Sequence, residues 1–438
     1  MMIPTDGIQY ASQFQLDDLT LIAVNGTSVD LREVMREMNI FEDMFTNTMS
    51  GDLFISDSQN LINLLPIIGG EYLKVTLSKP SFPWKLDKVF QIYKITDRRK
   101  ATAFAENYIL HFCSVEQVLS DSTRISKSYR GMSISKIVED ITTNYLHINS
   151  KKFPSSAIDS TTGNFDIVIP FWTPFYAINW LSRMARSAAT PGCSYVFFED
   201  SVGYHFTSIE SLSQQEPLQP INLMPMNLAG ETGEQSPVSD TQQRLESAEE
   251  YEMVGSPDLL RFISTGVYGG KLLTVNPIDQ RIKSITMNAA VLFDATDHTN
   301  PNMFLQLGSD RTKKPQTEHH DSFFRIAADN LKVDTWLLQR NAYISAFHGF
   351  QVKVSVPGNL LLRVGQIVQL NLPAATLGSK AEKPIDEMFS GNYMISAIRH
   401  KIDRVRYVCI LELSKDSLVP QLPPSLESSS AMNRIRES

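Results

Sequence analysis

The sequence is poor in cysteine, and the cysteines it has are isolated. Cys113, Cys193 and Cys409 lie far apart, their number is odd, and no CxxC pair occurs. A secreted scaffold held together by disulfides would show an even set at recurring spacings. We therefore expect reduced thiols, made in a cytoplasm and buried as small apolar side chains.

Long apolar runs and a basic excess are also missing. No run reaches the roughly 18 residues of a membrane helix, so we expect no membrane-spanning segment. The start, MMIPTDGIQYASQFQ, lacks the basic flank and apolar core of a secretory signal. The net charge of −8 argues against a dedicated nucleic-acid binder, which usually carries a basic excess. The length of 438 residues predicts two to four domains.

No enzyme motif is complete. GVYGGKL (266–272) resembles a phosphate loop, but its first glycine is one residue too close, and Leu272 replaces the hydroxyl that holds magnesium. A turn between strands explains it better. SISK (133–136) fits an SxxK acylase motif without its partners SDN and KTG, so we interpret it as a helix start with a serine cap.

The histidines do not form a metal-binding pattern. His319 and His320 are adjacent and would point about 100° apart on a helix; His298 and Asp321 add no recognisable ligand spacing. Three others lie in strand-like patterns and are expected to be hydrogen-bonded structural residues: His111, His205 and His400. We predict no catalytic, cofactor-binding or metal-binding residues, no cofactor and no enzyme activity.

Most segments alternate apolar and polar residues, which is typical of β-strands. Strands are predicted in 19–24, 50–56, 71–78, 90–96 and 108–114, and a hairpin with its turn at 201–203. Helices are predicted after Asp30 (LREVMREM), at SQNLINLLP before Pro66, from about 134 to 145, from Pro174 with Thr173 as cap, and around 323–338. Residues 259–277 and 281–293 look strand-like, and strands are expected again from Ala342 to Ser414.

The first and last parts of the chain contain similar segments in the same order. GGEYLKVTL and VGQIVQLNL align Gly70 with Gly365; YKITDRRK (93–100) then parallels YMISAIRH (393–400), and LHFCS (110–114) parallels LELSK (411–415). Three matches in one order predict one small β-barrel or sandwich built twice. Three copies of such a chain would present six similar units in a ring, which suits an adaptor between three-fold and six-fold objects.

The chain resembles the baseplate hub subunit of contractile-tailed bacteriophages and the related base of type VI secretion spikes. Five segments carry the resemblance: SGDLFISDSQNLINLLPIIGGEYLKV (50–75), IVIPFWTPFYAINWLSRMARS (167–187), SYVFFEDSVGYHFTSIESL (194–212), VPGNLLLRVGQIVQLNLP (356–373) and SGNYMISAIRHKI (390–402). They span most of the chain, whereas 229–340 is the least matched part.

The resemblance implies an α+β, β-rich multidomain protein with two similar antiparallel, tail-tube-like β-barrels, an inserted mixed α/β domain and a smaller accessory domain. The expected units are a first tube-like barrel domain (1–117), a mixed α/β domain (118–222), a polar linker or loop (223–252), strands of the second barrel with a helical accessory insertion (253–338), the second tube-like barrel domain (339–415) and an extended C-terminal tail (416–438).

It also implies a structural role in the virion. The expected assembly is a homotrimer forming a pseudo-six-fold ring between the tail tube and the central spike, around a DNA exit channel. The implied partners are the spike protein, the tail tube protein or a tube initiator, surrounding baseplate proteins and the tape measure protein; DNA passes without sequence-specific binding. Two alternatives stay open: the spike base of a contractile injection or type VI secretion apparatus, and a tail-associated cell-wall hydrolase.

Overall fold

A computed structural model describes residues 12–65, 67–80, 84–102, 105–148, 157–223, 246–276, 278–304, 323–328, 331–374 and 385–420. Residues 15–114, here called the first half, contain seven strands and one helical turn: β1 Gln15–Ile22, β2 Ser28–Asp30, β3 Met35–Asp43, β4 Ser50–Asp57, α1 Leu61–Leu64, β5 Tyr72–Ser78, β6 Lys85–Lys100 and β7 Glu106–Ser114. They pair in the order β2-β1-β5-β6-β7-β4-β3.

The helix predicted after Asp30 is wrong. Apolar residues at 31, 34, 35 and 38 have helical spacing, and Asp30 does accept a hydrogen bond from the backbone N–H of Arg32. The chain completes only one turn there, and Met35 begins β3. Pairing on both sides, with β4 and with a strand near the C-terminus, outweighs the local preference because it buries Met38 and Ile40 completely.

The second half contains strands β12 Pro220–Leu223, β13 Ser247–Ala248, β14 Glu250–Gly255, β18 Phe350–Pro357, β19 Ile367–Asn371, β20 Gly391–Asp403 and β21 Tyr407–Lys415. β13 and the first three residues of β14 fall in the stretch expected to be a polar linker, so that expectation is wrong for these residues; 224–245 lie outside the described residues. Both halves join in one 14-stranded sheet, and their buried side chains form one continuous core.

Four strands in each half follow the same pairing path. β4-β7-β6-β5 in the first half corresponds to β18-β21-β20-β19 in the second. The predicted match of LHFCS with LELSK holds residue by residue, because Leu110 pairs with Leu53 and Leu411 with Val354. Gly70 and Gly365 also occupy the same place: both have positive φ, 109° and 84°, and both donate a backbone hydrogen bond into the long central strand.

The second predicted match is three residues out of register. Ile92 lies opposite Phe112 and Ile395 opposite Leu413, so Ile92 corresponds to Ile395. A β-bulge follows each of them, and the bulged residues are Tyr93 and Ser396. The shared tyrosine letters at 93 and 393 therefore do not mark equivalent positions.

A separate mixed module lies between the two halves. It consists of α2 Val115–Ser122, β8 Ile125–Met132, α3 Ile134–Asn144, β9 Phe165–Trp172, α4 Pro174–Met184, β10 Tyr195–Glu199, β11 Tyr204–Ser208 and α5 Ile209–Leu212. The predicted hairpin is present as β10 and β11, and the predicted apolar stripes of α3 and α4 pack in a core of their own.

The caps of its two long helices differ from those predicted. Ser133 and Thr173 occupy the cap positions, but neither side chain caps the helix. Distant hydroxyls accept instead: Thr161 Oγ1 from the backbone N–H of Ser135 at 2.9 Å, and Ser120 Oγ from that of Phe175 at 3.2 Å.

Most described elements between 253 and 338 lie outside the 14-stranded sheet. α6 Leu259–Ser264, β15 Gly269–Asn276, β16 Arg281–Asn288, α7 Ala289–Ala295 and β17 Phe324–Ala328 precede a 3-10 turn Val333–Thr335 and α8 Leu337–Phe347. Strands β15–β17 pair only with each other among the described strands. They were expected to belong to the sheet of the second half, and that expectation is wrong. Most of the helix predicted around 323–338 is instead β17 and the 3-10 turn. The observed helix, α8, begins only at Leu337 and extends beyond Ala342, where strands were expected.

The first residues of the predicted tail are packed. Asp416 and Ser417 are buried, and Leu418 forms an isolated bridge with Asn302. Residues 421–438 lie outside the described part. The three cysteines are free and buried, as predicted. None of the helices in the described ranges combines the length and apolar character needed to cross a membrane.

Candidate functional site

The histidines considered as metal ligands do not come together. His319, His320 and Asp321 lie outside the described residues. Within the described ranges no three His, Cys, Asp or Glu side chains are placed to hold a metal ion. The predicted structural roles of the strand histidines are confirmed: His111 contacts Thr96 Oγ1 at 2.8 Å and His205 contacts Asp200 at 3.0 Å, while His400 is described below.

One hydrogen-bonded row resembles a catalytic triad in its order. Thr296 Oγ1 lies 2.8 Å from His298 Nε2, and His298 Nδ1 lies 2.5 Å from Asp416. Thr296 donates its proton to the carbonyl of Leu292, so the hydroxyl is not offered to His298 as a nucleophile would be. Burial favours a raised pKa for Asp416, but bonds from His298 and Thr299 outweigh it and lower the pKa. The row anchors the chain after β21.

The two motifs that were set aside have structural roles. Gly266 has φ 77° in the turn between α6 and β15, so GVYGGKL connects a helix to a strand rather than two strands. SISK starts α3 as predicted, although Ser133 does not cap it.

The feature that organises the whole chain is the pairing of β3 with β20, here called the in-chain joint. Its antiparallel register runs from Asp43 opposite Ala397 to Glu37 opposite Asp403. The joint makes one sheet of the two halves and leaves each face with a different chemistry.

The outward face of the in-chain joint is charged and cross-linked by polar contacts. Glu37 lies 3.4 Å from both Arg399 and Lys401. Asn39 accepts from Arg399 Nε at 2.8 Å and donates to Asp52 at 2.7 Å. These contacts favour the observed register, since sliding one strand along the other would break the bonds of Glu37 and Asn39 with Arg399.

The inward face carries a buried polar cluster. His400 Nδ1 lies 2.8 Å from Tyr407 Oη and 3.5 Å from Cys409 Sγ, and its Nε2 lies 3.4 Å from Glu42. Burial alone would lower the pKa of His400, but the contacts with Cys409 and Glu42 raise it to about 10. His400 and Cys409 are at most 2% exposed, so no substrate reaches this cysteine–histidine pair.

This cluster predicts a pH dependence of stability. His400 stays protonated in the folded state up to about pH 10, while the unfolded residue loses its proton near 6.5. The folded state therefore holds one more proton on His400 in this window. Burial acts to raise the pKa of Cys409, but the contact with His400 lowers it, so a proton lost by this thiol offsets part of that uptake. The net stabilisation is lost as pH rises. Between pH 7 and 8.5, the free energy of unfolding should fall more steeply in wild type than in His400→Gln, by up to about 1.4 kcal/mol per pH unit. Urea titrations at several pH values measure it in the native chain and in a Cys409→Ala background, where no thiol offsets the imidazole. Parallel curves in that background would contradict the assignment.

A second polar contact ties the mixed module to both halves. Glu199, at the end of β10, accepts from the backbone N–H of Met49 at 3.0 Å, from Ser114 Oγ at 2.5 Å and from Lys88 Nζ at 2.9 Å. The adjacent Asp200 lies 3.6 Å from Arg363 of the second half. Burial acts to raise the pKa of Asp200, but His205 and the neighbouring N–H groups and Arg363 lower it.

Sequence reasoning missed both polar contacts. The charged letters of β3 and β20 resemble any solvated strand face, and nothing local links residues about 360 positions apart. The FFED sequence ending at Asp200 carried a weak signal, since two adjacent acids close a strongly apolar strand.

Comparisons with known proteins agree with this architecture. No protein-family model matches the chain. It is 21% identical over 400 residues, 87% of its length and 90% of the relative's, to the probable baseplate hub protein gp334 of Vibrio phage KVP40. The predicted resemblance to baseplate hub proteins is confirmed.

Two solved structures share the fold of this chain. The tail protein from Neisseria meningitidis MC58 matches with a TM-score of 0.53 and 12% identity, over 91% of this chain and 96% of that one. The 43 kDa tail protein of prophage MuSo2 from Shewanella oneidensis matches with 0.55 and 9%, over 91% and 98%. At these identities the likeness shows the fold alone, and that fold is β-rich as predicted.

Proposed function

We propose that the protein is the structural hub subunit of a contractile-tail baseplate in the virion, assembled in the host cytoplasm. The observation that carries the proposal is the repeated four-strand path with matching register and bulge, together with the similarity to a probable hub protein over most of both chains.

In this proposal the two halves are two tube-like barrels, and three chains form a homotrimer with six similar units around one axis. Such a ring presents pseudo-six-fold symmetry to the tail tube or its initiator and three-fold symmetry to the central spike. Its lumen is the DNA exit channel, and the net charge of −8 suits passage without sequence-specific contacts. Surrounding baseplate proteins and the tape measure protein are the further partners.

Mass photometry of the purified chain, alone and with its spike partner, tests the ring. We expect a particle of three 49.3 kDa chains. A monomer under both conditions contradicts the proposal, and a dimer or tetramer contradicts the three-fold geometry. Cell-wall hydrolysis by the purified chain would favour a tail-associated hydrolase instead.

A further inference from the structure

In the in-chain joint, β3 of the first half pairs with β20 of the second half. The two strands that correspond to them, β14 and the end of β6, do not pair with each other within one chain. Because β18 corresponds to β4, its neighbour β14 corresponds to β3: Tyr251 takes the place of Met38. Because β6 corresponds to β20, residues 94–100 take the place of 397–402. One extra residue forms a bulge between Thr96 and Arg99, so Arg99 lies at the position of Lys401. Among the described strands, none pairs with the edge of β14 that faces away from β18. None pairs either with the edge of β6 that faces away from β7, beyond Ile92.

The exposure of these residues differs from that of their counterparts. Met38 and Ile40 are fully buried in the in-chain joint, whereas Tyr251 and Met253 are 45% and 38% exposed. Residues 97–100 are exposed as well. Long unpaired edges with apolar side chains invite pairing with another chain, and neither edge contains a proline that would block it.

The two edges carry opposite charges. β14 begins with Glu250 and Glu252, and β6 ends with Arg98, Arg99 and Lys100. Transferring the register of the in-chain joint places Arg99 directly opposite Glu252 and diagonal to Glu250. The diagonal contact repeats the observed pair of Lys401 with Glu37.

We propose that β14 of one subunit pairs antiparallel with residues 94–100 of β6 in a second copy of this chain, with Glu252 opposite Arg99, Tyr251 opposite Lys100 and Gly255 opposite Thr96. This inter-chain joint rests on the proposed ring. Each chain supplies one edge of each kind, so the contact is head-to-tail and closes a ring in which in-chain and inter-chain joints alternate.

Disulfide trapping tests the register. Glu252→Cys and Arg99→Cys are introduced in one chain, because directly opposite residues bring their Cβ atoms within disulfide reach. After mild oxidation, non-reducing electrophoresis should show covalent trimers that dithiothreitol dissolves. The matched control replaces Arg99 by Arg130, an exposed arginine on β8, and Glu252→Cys with Arg130→Cys should remain monomeric on the gel.

Charge reversal gives a second readout. Arg99→Glu faces Glu252 and Glu250 and should raise the dissociation constant of the trimer by at least about tenfold, whereas Arg130→Glu should leave it unchanged. Adding Glu252→Arg to Arg99→Glu should restore assembly. A wild-type trimer that is neither trapped by the cysteine pair nor weakened by Arg99→Glu overturns the inter-chain joint but leaves the ring intact. A wild-type monomer, alone and with the spike, overturns the ring and the joint with it.

Discussion

Replacing Glu199 by alanine should lower the free energy of unfolding by about 3–5 kcal/mol, as breaking a buried ion pair does. The Glu199 and Lys88 side chains are only 1% and 10% exposed, and the carboxylate also satisfies the Met49 N–H and the Ser114 hydroxyl. The alanine variant leaves the ammonium of Lys88 and both donors without this acceptor in a place that water barely reaches. Equilibrium urea unfolding of the purified variant measures the loss.

A matched control separates burial from charge. Asp18→Ala removes a carboxylate from an ion pair of nearly the same length, 2.8 Å to Lys74, whose side chains are 29% and 44% exposed. Exposed pairs contribute little, so this variant should unfold close to wild type. The double variant Lys88→Met with Glu199→Leu should recover much of the loss, since no charge is left buried. Equal effects of Glu199→Ala and Asp18→Ala would show that the buried pair does not hold the module.

Local sequence patterns correctly predicted the strands and helices whose tertiary contacts favour the same structure as the pattern. β4, β5 and β7 alternate regularly and are strands; α3 and α4 show apolar positions at helical spacing and are helices. β3 was lost because residues 31, 34, 35 and 38 satisfy a helical pattern equally well. Its true partners lie on β4 and on β20 at the far end of the chain, and no window of local sequence contains them.

The repeat was visible in the sequence, but the joint was not. Strand periodicity aligned Gly70 with Gly365 and Leu110 with Leu411, whereas the tyrosines shared at 93 and 393 aligned the middle segment three residues out of register. The polar contacts of Glu37 with Arg399 and of Glu199 with Lys88 depend on strands that meet only after folding. They could be found only once the pairing was known.

The second large effect is expected at Gly51. In the first copy of the repeat a glycine faces a large aromatic side chain, whereas in the second copy two aliphatic side chains face each other. Gly51 lies opposite Phe112, and the equivalent pair in the second half is Val352 opposite Leu413. A Cβ on Gly51 would come within 2.3 Å of the Phe112 ring and of the backbone oxygen of Asn39. Because one of these atoms belongs to a paired strand, the clash cannot be relieved by a rotamer change alone.

Gly51→Ala should therefore cost about 3 kcal/mol or more in urea unfolding, at the upper end of what overpacking does. Ser50→Ala, next to it on β4, should stay within about 0.5 kcal/mol of wild type. Phe112→Leu combined with Gly51→Ala recreates the volumes of the second copy and should recover about 1 kcal/mol or more of the loss, a coupling expected of residues in contact. Recovery stays partial, because the Asn39 oxygen remains. A Gly51→Ala variant as stable as Ser50→Ala would mean that β3 and β7 do not pack against β4 this closely, and the register on which the in-chain joint depends would be wrong.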